Sequence, residues 1–149
     1  MSDLDSLYRE IILDHSKRRT GDGLDHDVPQ GARAASSHQL NPTCGDEITL
    51  RAAIVDGRIA DVRWEGRGCS ISMASASVLT EIVRGLDADG FRTMADEFRA
   101  MMRSRDDAAD REETLGDASA FAGVARYPAR VKCAMLAWVA AEHAVAEAL

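Results

Sequence analysis

With 149 residues, 46% of them hydrophobic and 29% charged, the chain has the length and composition of one globular domain with a sizeable core. A net charge of −7 denies it the basic footprint of a nucleic-acid binder. No apolar run is long enough for a membrane span, since the best one, Cys133 to Leu149, is broken by Glu142, His143 and Glu147. No secretory leader pattern opens the sequence and cysteines are few, so a reducing cytoplasm is expected.

Residues Ser2 to Arg18 predict a helix. Leu4, Leu7, Ile11 and Ile12 recur at helical spacing, Ser2 can cap the start, and Lys17-Arg18-Arg19 suits the end. Thr20 to Ala32 holds Gly21, Gly23, Pro29 and Gly31 and reads as a mobile loop. Ala34 to Leu40 is a first strand. Ile48, Leu50, Ala52 and Ile54 alternate in a second, Asp56-Gly57 supplies a two-residue turn, and Ala60, Val62 and Trp64 alternate with Asp61, Arg63 and Glu65 in a third.

Beyond Cys69 the period changes. Ile71, Ala74, Ser75, Val78 and Ile82 line one face of a helix ending at Gly85, and Phe91, Met94, Phe98 and Met101 mark another. Arg103 to Asp117 reads as a charged, solvated connection and Asp117 to Gly123 as a short helix. Pro128 opens a last helix whose core face is Val131, Met135, Trp138, Ala141 and Val145. The expected architecture is a single α+β domain over residues 1–149: an N-terminal helix, a three-stranded antiparallel sheet, then helices packed on one face.

Three cysteines stand out, and three thiols cannot all pair as disulfides. Cys44 lies in the tight loop Asn41-Pro42-Thr43-Cys44-Gly45-Asp46. Cys69 follows Gly66-Arg67-Gly68 and opens a helix, where the dipole favours a thiolate. Cys133 lies near the start of the last helix. Zinc takes four ligands from Cys, His and carboxylates, so Cys44, Asp46, Cys69 and Cys133 form a candidate set, with Gly45 removing a Cβ that would crowd the first two. Three thiolates and a carboxylate leave a zinc site at about −2. Arg130, Lys132 and Arg67 are the neighbouring cations, and Arg130 is the first choice to hold Asp46 from behind. The spacings do not match a zinc ribbon, and a free cysteine is often a small buried hydrophobe. The polar, glycine-rich settings of Cys44 and Cys69 favour a metal over packing.

These residues carry a family likeness. Asn41-Pro42-Thr43-Cys44-Gly45-Asp46, Gly68-Cys69-Ser70-Ile71-Ser72 and Arg130-Val131-Lys132-Cys133-Ala134-Met135-Leu136-Ala137-Trp138 resemble the SufU proteins of the IscU/NifU-N superfamily, as does Leu7-Tyr8-Arg9-Glu10-Ile11-Ile12-Leu13-Asp14-His15. IscU-type scaffolds place a histidine directly before the third cysteine, where this chain has Lys132, and SufU-type chains carry an extra segment between the second and third cysteines, here within Arg99 to Asp117. The resemblance implies a zinc-dependent sulfurtransferase serving a PLP-dependent cysteine desulfurase of SufS type and, beyond it, an iron–sulfur assembly scaffold. It implies Cys44 as persulfide acceptor, with Cys44, Asp46, Cys69 and Cys133 on zinc and Arg130 behind them. The alternative is an IscU-type scaffold that builds a cluster on the same ligands.

Other candidates have simpler readings. His15 and His143 read as surface or core-edge helix residues, His26 as a loop residue and His38 as a strand residue. Met94, Met101, Met102 and Met135 suit core packing. The acidic run Asp106 to Glu113 lacks the spacing of a calcium loop.

Overall fold

The alternation on either side of Asp56-Gly57 folds as a hairpin. Strand β2 (Asp46–Val55) returns as β3 (Arg58–Arg67), and both turn residues adopt positive φ, 52° and 77°. Strand β1 (Arg33–Asn41) pairs antiparallel with the other edge of β2, giving the order β1-β2-β3. This computed structural model describes the backbone of residues 3–104 and 112–149. The capping role of Ser2 and most of the charged connection after Arg103 lie outside the described residues.

The inner face of β2 is the expected one, with Ile48, Leu50, Ala52 and Ile54 buried. On β3 the register slips between Ala53 and Ile54. Ile59 pairs with Ile54 and turns inward at 2% exposure, while Ala60 faces solvent. The inward run therefore starts at Ile59 and not at Ala60, because a bulge inverts the alternation beyond it.

Among the described residues five α-helices complete the fold: α1 (Asp3–Arg18), α2 (Ser70–Val83), α3 (Ala88–Arg103), α4 (Glu112–Leu115) and α5 (Pro128–Ala148). Helix α5 crosses the inner face of β1 and β2, α2 packs beside it and against β3, and α1 lies on α2. The helices thus cover one face of the sheet. Helix α2 was expected to bury a stripe. Instead Ser72 to Thr80 are all buried, because the helix is enclosed by α1, α5 and β3; Ile71 and Ile82 are only half-buried. The serines and alanines that blur its periodicity let neighbours approach closely. On α5 the buried face is also broader than expected, with Cys133, Leu136, Ala137, Ala140 and Ala144 inside and Val131 and Met135 at its edge. Phe98 of α3 stacks on Trp138 with centroids 4.6 Å apart, and Phe121 meets Phe98 edge-on.

The short helix expected over Asp117 to Gly123 is a longer 3₁₀ segment, Gly116–Arg126. Leu115, Ala118, Phe121 and Val124 recur every third residue and are all buried, which is the repeat that a three-residue turn aligns. The first part of the glycine-rich loop is hydrogen-bonded to the sheet. Gly21 O accepts from Trp64 N at 2.9 Å, Gly23 N donates to Trp64 O at 2.8 Å, and Arg51 donates to Leu24 O and His26 O. His15 is not at the surface: it is 1% exposed, bonded to Ser77 Oγ at 2.8 Å and Asp117 Oδ2 at 3.1 Å, and so ties α1 to α2 and the 3₁₀ segment. Among the described residues no helix is long and apolar enough to cross a membrane.

Candidate metal centre

The loop carrying Cys44 is the turn that closes the β1–β2 hairpin. Gly45 N donates to Asn41 O at 2.9 Å, and Gly45 has φ of 73°. A Cβ on Gly45 would meet nothing within 4 Å, so glycine serves here to reach left-handed φ and not to make room. Cys44 is left exposed at the turn. Asp46 begins β2 with its side chain inward and 0% exposed.

Asp46 joins the two remaining elements. Its Oδ1 accepts from Cys69 N at 2.9 Å, at the N-cap position of α2, where the Cys69 side chain makes no capping bond. A buried carboxylate thus takes one of the orphan N–H groups of α2. Burial alone would raise the Asp46 carboxyl, but hydrogen bonds from Cys133, Ser72 and the Cys69 N–H, with the Arg130 charge, hold it below its ordinary value.

Cys133 lies in the second turn of α5, buried beneath the β1–β2 turn. Its Sγ stands 3.4 Å from Cys44 Sγ. Donor atoms of Cys44, Asp46 and Cys133 all lie within 4.8 Å of one another. Cys69 stands just outside this group, its Sγ 4.0 Å from Asp46 Oδ2 and 3.5 Å from Ser72 Oγ. The thiols differ in character. For Cys69, burial would raise the thiol, yet Ser72 and Cys133 hydrogen bonds bring it lower than an ordinary cysteine. For Cys133, burial and donation to Asp46 and Cys44 push the thiol up, outweighing any help from the helix dipole.

Arg130 is exposed on the first turn of α5 and acts on Asp46 through charge. Arg67 points away: it is 83% exposed and pairs with Glu47 at 3.4 Å. His38 joins the same outer cluster through Glu47 at 2.8 Å and does not approach the thiols.

Three residues of the site escape sequence reasoning. Ser72, 2% exposed, serves both Asp46 and Cys69. Gly68 leaves room that Asp46 fills, since a Cβ there would stand 2.2 Å from Asp46 Oδ1. Asn41, 6% exposed, lies directly across the ladder from Asp46, and its Nδ2 is buried without an acceptor among the described residues. Directly opposed residues share a sheet face, so this N–H stands on the side of the site. The last two have a partial sequence signal: each belongs to a Cys-bearing turn segment.

The donor set fits zinc. Three sulfurs and one carboxylate oxygen are ligands it accepts, and two sulfurs about 2.3 Å from a tetrahedral ion stand about 3.8 Å apart, near the 3.4 Å of Cys44 and Cys133. A thiolate held on such an ion would offer an acceptor of the kind the buried Asn41 amide lacks.

Comparisons with known proteins concern the chain as a whole. A family model described as the NifU-like N-terminal domain matches residues 7–134. The chain is 40% identical over 148 residues to the zinc-dependent sulfurtransferase SufU of Bacillus subtilis, covering 98% of this chain and 94% of that one. It is 38% identical over 145 residues to the iron–sulfur cluster assembly scaffold protein IscU of Streptococcus pyogenes, covering 97% and 86%. A crystal structure of SufU from Fervidobacterium islandicum, described as a candidate cluster-assembly scaffold of the SUF system, superposes with a TM-score of 0.74 at 33% identity, covering 91% and 94%.

Proposed function

The chain belongs to the family of NifU-like N-terminal domains, with the SufU and IscU proteins, and we propose that it is a zinc-dependent sulfurtransferase that accepts persulfide sulfur from a SufS-type cysteine desulfurase on Cys44. The ligands would be Cys44, Asp46, Cys69 and Cys133, the setting a reducing cytoplasm, and the destination of the sulfur an iron–sulfur assembly scaffold. Zinc, when bound, supplies a Lewis acid that keeps its thiol ligands deprotonated near neutral pH.

The observation that carries this reading is the graded burial of three clustered thiols: Cys44 exposed, Cys69 half-buried, Cys133 buried. Of the three, Cys44 is the most exposed and so the one best placed to meet a donor protein. In transfer, the Cys44 thiolate attacks the outer sulfur of the donor persulfide. The donor S–S bond breaks, its cysteine leaves as thiolate, and Cys44 becomes the persulfide; no net oxidation occurs. Asp46 is held in place by Cys69 N, Ser72 and the Arg130 charge, so the cluster keeps its shape while Cys44 changes partners.

The scaffold reading is supported by the IscU relatives. Lys132, exposed directly before Cys133, disfavours it, since a lysine there adds no ligand of the kind imidazole offers. The deciding experiment combines metal analysis with desulfurase turnover. Cys44→Ser is expected to keep the fold and bind the desulfurase but abolish the stimulation of sulfide release. Normal stimulation by that variant refutes the acceptor role, and a coloured, stoichiometric, transferable cluster on the anaerobically purified protein favours the scaffold.

A further inference from the structure

An apolar groove of about 480 Å³ opens beside the thiol cluster. Ile12 and Leu13 of α1, Ile71 of α2 and Val124 of the 3₁₀ segment line it, and Tyr127 and Arg130 stand where α5 begins. The groove borders the site. Ser70 and Ile71 on its wall directly follow Cys69, Arg130 is the cation whose charge reaches Asp46, and Cys44 Sγ lies 4.0 Å from Ala129 O on the same first turn of α5.

Two features mark it as an interface. Leu13 and Tyr127 are large apolar side chains left 48% and 62% exposed. Among the described residues, arginines but no carboxylates line the groove, in a chain whose net charge is −7. An apolar trough with a basic rim selects an acidic segment that seats an apolar side chain: burial supplies affinity and charge supplies orientation. Sulfur transfer also needs the donor sulfur within bonding reach of Cys44, so a donor must be held against this corner of the molecule.

The geometry points to this groove as the seat of an acidic, apolar-anchored segment of the desulfurase, which orients the donor persulfide toward Cys44. Naming the desulfurase as occupant rests on the sulfurtransferase reading. Leu13 and Arg126 contribute to docking and not to the chemistry.

The test uses the zinc-loaded full chain and the cysteine desulfurase of the same organism. Leu13→Gln and Arg126→Glu are compared with Arg92→Glu, an exposed control on α3. Binding is measured by titration calorimetry at low and high salt, alongside zinc content and desulfurase turnover. Each groove variant should weaken binding about tenfold. The concentration needed for half-stimulation should rise while maximal stimulation and zinc content stay unchanged, and Arg126→Glu should blunt the salt dependence. Arg92→Glu should change none of these. Unaltered binding by both groove variants overturns the groove assignment and leaves the sulfurtransferase reading standing. A dimer of the unaltered chain that both variants dissociate also overturns it, with a second copy as occupant. Failure of the unaltered chain to bind the desulfurase at all overturns both.

Discussion

Gly68 and Asp46 are in such close contact that a single methyl group on Gly68 would stand 2.2 Å from Asp46 Oδ1. The carboxylate occupies the space of the missing side chain, and there it accepts from Cys69 N. One glycine therefore sets both the aim of a candidate ligand and the start of α2.

Gly68→Ala is expected to push Asp46 out of line and weaken zinc binding at least about tenfold, the usual cost of disturbing a group that orients a ligand. Competition against a chromophoric chelator measures this. An alanine variant with unchanged zinc affinity would remove Asp46 from the ligand set or show that the site absorbs the displacement.

Asn41 holds a buried N–H in want of an acceptor, across the ladder from Asp46. Donation to a metal-bound sulfur lowers the charge on that sulfur. In the cobalt(II)-substituted protein, Asn41→Ala is expected to shift the sulfur-to-metal charge-transfer absorption and to weaken metal binding about tenfold. A spectrum identical to that of the unaltered protein would place the amide's partner elsewhere.

Glu81 of α2 anchors the end of α1. It accepts from Arg18 Nη1 at 2.9 Å and Thr20 Oγ1 at 2.6 Å, and His15 Nδ1 is 3.9 Å away. Burial would raise its carboxyl, but Thr20, Arg18 and His15 hold it below its ordinary value. A folded-state value below the unfolded one, near 4.3, adds stability above that pH, and the contribution is lost as pH falls through the folded value. Glu81→Gln should cost about 1 kcal/mol or less at pH 7, given the partial exposure, and the difference should shrink as pH falls below the unfolded value and through the lower folded one. Urea denaturation at a series of pH values reads this out, and a constant difference across the acid range would contradict it.

The β2–β3 hairpin was legible because Asp56-Gly57 and strict alternation are local signals that no packing partner needs to supply. The bulge that turns Ala60 outward was not, since it arises from pairing between strands. Helix α2 misled for a related reason. A stripe of apolar residues forecasts one buried face, but α1, α5 and β3 enclose it on several sides, and small serines and alanines are what such a position accepts. The three-residue repeat from Leu115 to Val124 was present in the sequence and marks a 3₁₀ segment only once its burial is known.

The sequence by itself determined the order of elements and the helix-on-sheet architecture, because each depends on local period or turn chemistry, and it offered Cys44, Asp46, Cys69 and Cys133 as candidate ligands by side-chain type and setting. Only the tertiary structure decided how they meet: Cys44 at the surface, Cys133 beneath it, Asp46 between two elements, Gly68 and Asn41 serving the carboxylate's side of the site. Distance across the chain, 89 residues from Cys44 to Cys133, is erased by packing α5 across the sheet, and no local rule encodes a contact that two separately formed elements create on docking.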